Sequence, residues 1–164
     1  MSDKIYNVLF LCTHNSARSI LSEGLLNQIG QGRFKAYSAG SMPSGKVNPF
    51  ALATLEKLGI DTTGMRSKTW DEFAEAGAPQ MDFIFTVCDN AAGEVCPIWP
   101  GHPTTAHWGF ADPSATEGDD AAKLAAFAHT ASLISNRLRL FTSLPIDKLD
   151  KLALKAELQR LAQS

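Results

Sequence analysis

The chain has 164 residues, 45% hydrophobic and 20% charged, with a net charge of −2. That length suits one domain with its own core, and the slightly acidic balance offers no global positive field to gather nucleic acid or an anionic membrane. Any anion must therefore be captured by a local site.

No apolar run nears the roughly 20 residues of a membrane-spanning helix. Asp3 and Lys4 precede only a short apolar run at residues 8–11, and no small-residue cleavage site follows. Three widely spaced cysteines do not make a secreted disulfide framework. A cytoplasmic location is expected, with no membrane and no nucleic acid as partner.

Residues 6–11 (YNVLFL), apolar from Val8 onward and rich in β-formers, predict a buried strand ended by the polar residues after it. Residues 19–29 predict a helix, with Ser19 as N-cap, Gly30 as stop, and Ile20, Leu21, Gly24, Leu25 and Gln28 as the inward stripe. Residues 34–38 predict a second strand, closed by Ala39-Gly40. Asn48-Pro49 opens a helix that runs to Leu58-Gly59. A short helix is expected over 69–76 and a third strand over 83–87. A fourth strand, over 104–108, lies within the Pro/Gly-rich stretch 97–113.

Residues 119–140 predict a long helix with Leu124, Phe127, Leu133, Ile134 and Leu138 on one side, continued by Phe141. Residues 145–162 predict a last amphipathic helix with Leu149, Leu152, Leu158 and Leu161 as its stripe. Short apolar strands alternating with helices predict an α/β fold, a parallel sheet covered on both faces. It is read as a single domain over 1–164, with 145–164 as a helical extension. Such sheets bind ligands at the carboxyl ends of their strands. Cys12 and Cys88 each follow a predicted strand, on the same rim.

Cys12-Thr13-His14-Asn15-Ser16-Ala17-Arg18-Ser19 lies between a strand and a helix N-terminus. Successive backbone N–H groups in such a turn converge on one point, and the helix dipole adds positive charge there. Arg18 adds a planar fork for two oxygens of a tetrahedral anion. The same field favours thiolate at Cys12, and Ser19 is placed to donate to it. Without such a setting, Cys12 would be a small apolar residue ending a strand. The Gly-rich spacing and the Lys-Ser/Thr pair of a nucleotide P-loop are absent.

On these residues, VLFLCTHNSARSILSEG resembles the signature of the low-molecular-weight tyrosine phosphatase superfamily, and more closely its arsenate reductase branch. YSAG (37–40), NPFA (48–51), the segment from Cys88 to Cys96-Pro97, and HWGFADP (107–113) match in order. The resemblance implies a four-stranded parallel sheet flanked by helices, with the catalytic loop after the first strand. It also implies that Asp112, in Asp112-Pro113, is the general acid that protonates a departing oxygen. Taken alone, Asp-Pro would be a turn.

Phosphatases of this family usually carry aromatic residues after that Pro, which sandwich a phenyl ring. This chain has Ser114 and Ala115 there. Arsenate is the expected substrate, with phosphate and sulfate as competing anions. Cys88 is expected to attack the Cys12 adduct, and Cys96 to resolve the resulting disulfide. Thioredoxin, or glutaredoxin with glutathione, would then supply electrons. The alternative is a phosphatase that hydrolyses phosphomonoesters through phosphocysteine.

Two positions depart from the reductase pattern. Ala17 stands where many thioredoxin-coupled relatives have a loop cysteine. Members with a monovalent-cation site build it from an Asn, a Glu, a Ser and an Asp. Asn15, Glu23 and Ser38 match, but Lys68 stands where the Asp would be, so an ammonium is expected in place of a metal. Zinc held by Cys88, Cys96, His102 and His107 is disfavoured because no compact Cys-x₂-Cys knuckle is present. No cofactor is expected.

Overall fold

The computed structural model describes residues 4–75, 77–87 and 103–162. Strands β1 (Tyr6–Cys12), β2 (Phe34–Gly40), β3 (Phe83–Thr86) and β4 (Thr104–His107) form one sheet in the order β2-β1-β3-β4, parallel throughout. The register sets Cys12 opposite Gly40, Leu11 opposite Thr86, and Thr86 opposite His107. Cys12 thus sits at the carboxyl rim of the sheet, where ligands are expected for this topology.

The apolar run from Val8 to Cys12 follows from burial on both sides. Val8, Phe10 and Cys12 join Phe83 and Phe85 in the larger core, under helices α1 (Arg18–Ile29), α2 (Pro49–Lys57), α4 (Asp120–Thr142) and α5 (Lys151–Leu161). Leu9 and Leu11 face the opposite side with Ile84. There Trp70, Phe73 and Met81, around the four-residue α3 (Asp71–Ala74), cover them. The helix expected over 69–76 is therefore one turn. The four-stranded parallel sheet flanked by helices, with a C-terminal helix added, is the architecture the sequence predicts.

Several local expectations are corrected. Helix α1 begins at Arg18, with Ala17 in the N-cap position and no side-chain cap, so Ser19 is not the cap but lies buried in the first turn. Its inward face takes Leu26, while Gln28 is exposed. Asn48 does cap α2, its side chain accepting from the Phe50 N–H. In α4, Leu124 and Leu133 reach the surface, whereas Thr130, Ala131 and Arg137 are buried.

The last predicted helix is split. A 3-10 turn at Ile146–Lys148 ends before Asp150, whose carboxylate caps α5 through the Ala153 N–H. That break re-phases the stripe, so Leu154 points inward and Leu152 is 81% exposed.

Candidate active site

The loop after β1 is held from outside by its carbonyl groups. The Thr13 carbonyl accepts from the Met42 N–H at 2.8 Å, that of His14 from the Ser44 N–H at 3.1 Å, and that of Ser16 from the Asn48 N–H at 2.9 Å. Ser67 Oγ also donates to the His14 carbonyl, at 2.9 Å. In a trans peptide the N–H points opposite to the C=O. The amides of His14, Asn15 and Ala17 therefore turn toward the concave side, where the first N–H groups of α1 also lie unbonded by the helix. The result is a ring of donors at the positive end of a helix, above Cys12.

Two residues fix this curve. Asn15 is fully buried with φ of 49°, a left-handed conformation that Asn tolerates better than most side chains. Its Nδ2 donates to Ser19 Oγ at 2.9 Å, and its Oδ1 accepts from the Lys68 N–H at 2.9 Å. Because Ser19 accepts from Asn15, its own hydroxyl proton is not used in that bond. Gly40 packs against the underside. A Cβ there would lie 2.5 Å from the Thr13 carbonyl oxygen and 2.7 Å from that of Cys12, so no side chain fits.

Arg18 reaches across to the loop after β4. Nη1 donates to the Phe110 carbonyl at 2.9 Å, and Nη2 lies 3.6 Å from Asp112 Oδ2. Asp112 caps a 3-10 turn at Pro113–Ala115. Its Oδ1 accepts from the Ser114 N–H at 2.9 Å and from Ser114 Oγ at 2.6 Å. The fold thus brings the Cys12–Ser19 loop and Asp112 to one rim, joined through Arg18. Two of the three thiols expected to act there, Cys88 and Cys96, lie outside the described residues. Val87, just before Cys88, donates its N–H to the Leu11 carbonyl at 2.9 Å.

Beneath the loop, Ser38 Oγ donates to Glu23 Oε1 at 2.6 Å, and Lys68 Nζ lies 3.9 Å from the same oxygen. Lys68 Nζ also donates to the Arg66 carbonyl at 2.9 Å. Burial pushes the Glu23 carboxyl above its ordinary range, against the Ser38 bond and the Lys68 charge. Burial likewise pulls Lys68 down, against the attraction of Glu23. The Lys68 ammonium thus lies beside Glu23, while Asn15 holds the Lys68 main chain. Among the described residues no set of three or more His, Cys, Asp or Glu side chains could hold a metal ion. Nor is any described helix long and apolar enough to cross a membrane.

The sequence reading missed the Phe110 carbonyl and the main-chain groups of Met42, Ser44 and Lys68. Backbone donors and acceptors carry no residue-type signature, so only the order of the matched motifs hinted at them.

The sequence matches the family of low molecular weight phosphotyrosine protein phosphatases over residues 7–158. The chain belongs to that family. The match runs past residue 141 into α5. Within the phosphatase family, the chain is similar to the arsenate reductase of Bacillus subtilis, 38% identical over 141 residues, 86% of this chain and 96% of the relative. The arsenate reductase of Halalkalibacterium halodurans is 37% identical over 134 residues, 82% of this chain and 93% of the relative. A solved structure described as an arsenate reductase in the phosphate binding state has a TM-score of 0.65 at 26% identity, covering 85% of this chain and 98% of its own. These relatives place the chain in the arsenate reductase branch, as the motifs implied.

Proposed function

We propose that the chain reduces arsenate to arsenite, with Cys12 as nucleophile and Cys88 and Cys96 as a disulfide relay. Cys12 thiolate forms a bond to arsenic while Arg18 and the loop amides of residues 13–19 hold the remaining oxygens. Asp112 protonates the departing oxygen, which leaves as water. Cys88 thiolate then attacks the Cys12 sulfur. The sulfur–arsenic bond breaks with its electron pair passing to arsenic, so As(V) becomes As(III) and two thiols become the Cys12–Cys88 disulfide. Cys96 attacks Cys88, freeing Cys12 and leaving Cys88–Cys96. Thioredoxin, or glutaredoxin with glutathione, reduces that last disulfide in the cytoplasm.

The observation that carries this reading over phosphotyrosine hydrolysis is Ser114. Where a phenyl ring would need an aromatic wall, Ser114 folds back onto Asp112 Oδ1 at 2.6 Å, and Ala115 follows it. The loop itself suits phosphate as well as arsenate, so weak hydrolysis of small aryl phosphates is expected as a side activity.

A single addition of arsenate without reductant, followed by mass spectrometry, tests the proposal. Wild-type chain is expected to yield arsenite and a Cys88–Cys96 disulfide, and Cys96→Ser to stop at Cys12–Cys88. Cys88→Ser is expected to keep aryl-phosphate hydrolysis and lose arsenate reduction. Continued arsenate reduction by Cys88→Ser would sink the relay.

A further inference from the structure

Both groups that address Arg18, the Phe110 carbonyl and Asp112, belong to one loop between β4 and α4. The ends of that loop are anchored. Trp108 is buried, stacks on Phe85 with ring centroids 3.9 Å apart, and donates Nε1 to the Leu158 carbonyl at 2.9 Å. At the other end Asp112 caps its 3-10 turn. Between them, Gly109, Phe110 and Ala111 border a cavity of about 320 Å³ whose far wall is Leu133, Asn136, Arg137 and Leu140 of α4. Half-buried Phe110 thus has room to move on that side.

Arg137 faces this ring. Its Cζ lies 4.4 Å from the Phe110 centroid and 5.9 Å from that of Trp108, and the residue is only 8% exposed. Its neighbours along the buried face of α4, Ile134, Leu138 and Phe141, are core residues. An aliphatic side chain would fill such a place without the cost of burying a charge. A guanidinium gains something an aliphatic group does not, namely attraction to the negative face of an aromatic ring, stronger out of water.

We infer that Arg137 is a positioning residue: by holding the Phe110 ring it sets the height of the Phe110 carbonyl, and through that carbonyl the guanidinium of Arg18. The inference rests on the reading of Arg18 as an oxyanion ligand. It makes α4 part of the support of the anion site.

Titration of inorganic phosphate into the full chain, with thermal unfolding alongside, tests it on Arg137→Met, Arg137→Lys, Phe110→Leu and the Arg137→Met/Phe110→Leu double variant. Arg137→Met and Phe110→Leu are each expected to weaken phosphate about three- to thirtyfold, the span of a desolvated cation–π contact. Arg137→Lys, which keeps the charge but not the planar guanidinium, should recover part of the loss. The double variant should be no worse than the weaker single one, because both changes remove the same contact. If Arg137→Met does not fold, Phe110→Leu and Arg137→Lys carry the same comparison, since one removes the ring and the other keeps the charge. A lowered melting temperature with unchanged phosphate affinity, or losses that add in the double variant, would reduce Arg137 to a packing residue and overturn the inference. Arg18→Ala separates the two readings. If it binds phosphate like wild type, the Arg18 reading fails and the inference with it; if it loses phosphate while Arg137→Met and Phe110→Leu do not, the inference alone fails.

Discussion

Asn15 Nδ2 donates to Ser19 Oγ at 2.9 Å, with both residues fully buried. The bond spans four residues, from the middle of the loop to the first turn of α1, and so fixes where the helix begins relative to the curve that precedes it. With Oδ1 taken by the Lys68 N–H, Asn15 also ties the loop to the chain leading into α3.

Asn15→Gly tolerates the backbone but leaves these bonds unmade, and is expected to lose about 1–3 kcal/mol of stability. Asn15→Ala must also hold φ of 49° with an ordinary Cβ, which adds roughly 1–2 kcal/mol. Urea unfolding of the two variants gives the comparison. Equal stabilities would mean that the left-handed backbone is not held in the folded chain.

Gly40→Ala brings a Cβ to 2.5 Å from the Thr13 carbonyl oxygen, which is already bonded to Met42. Backbone on both sides has little room to yield, so the expected cost is about 1–3 kcal/mol of overpacking. The loop is the part that moves, and a displacement near 1 Å in a reacting group costs on the order of a hundredfold in rate. Arsenate turnover within tenfold of wild type would show that the loop does not depend on this close approach.

The sheet and the loop were legible in the sequence because their causes are local. Residues 8–12 are apolar without interruption since β1 is covered on both faces, and the Cys12-to-Arg18 spacing is a property of one turn. What stayed hidden was decided by contacts distant in the chain. Leu124 and Leu133 fit a helical stripe, yet α4 turns Thr130 and Arg137 inward instead. Ser19 reads as an N-cap by type, but the bond from Asn15 draws it into the helix. The partner that orients Arg18 is a carbonyl 92 residues away, a group that every residue possesses.

Arg18→Lys keeps the positive charge and loses the planar fork. One amine cannot both reach the Phe110 carbonyl, as Nη1 does at 2.9 Å, and present two parallel donors to an anion. Phosphate and sulfate are expected to compete with arsenate in wild type and to weaken about tenfold or more in this variant, in line with loss of a charge-assisted hydrogen bond worth roughly 1.5–3 kcal/mol. Inhibition constants unchanged from wild type would place the anion elsewhere.

Glu23 gives the stability of the fold a pH dependence of definite sign. Burial holds its carboxyl above the ordinary 4.5, with Ser38, Lys68 and Arg66 opposing that shift. The unfolded chain releases the proton first as pH rises, so between the ordinary and the raised value the folded state binds more of it. Stability from this group is therefore full below 4.5 and is lost as pH climbs through the raised value. Lys68 acts in the opposite sense at high pH: burial lowers its pKa below 10.5, so the fold gains stability as pH rises through the lowered value. Glu23→Gln removes the first titration and keeps the shape. The unfolding free energy of wild type minus that of Glu23→Gln should fall as pH rises from 4.5 through the raised value and then level off. Chemical denaturation at several pH values measures it. A difference that rises over this window would mean that the Ser38 bond and the Lys68 and Arg66 charges outweigh burial, and that Glu23 is held as a carboxylate.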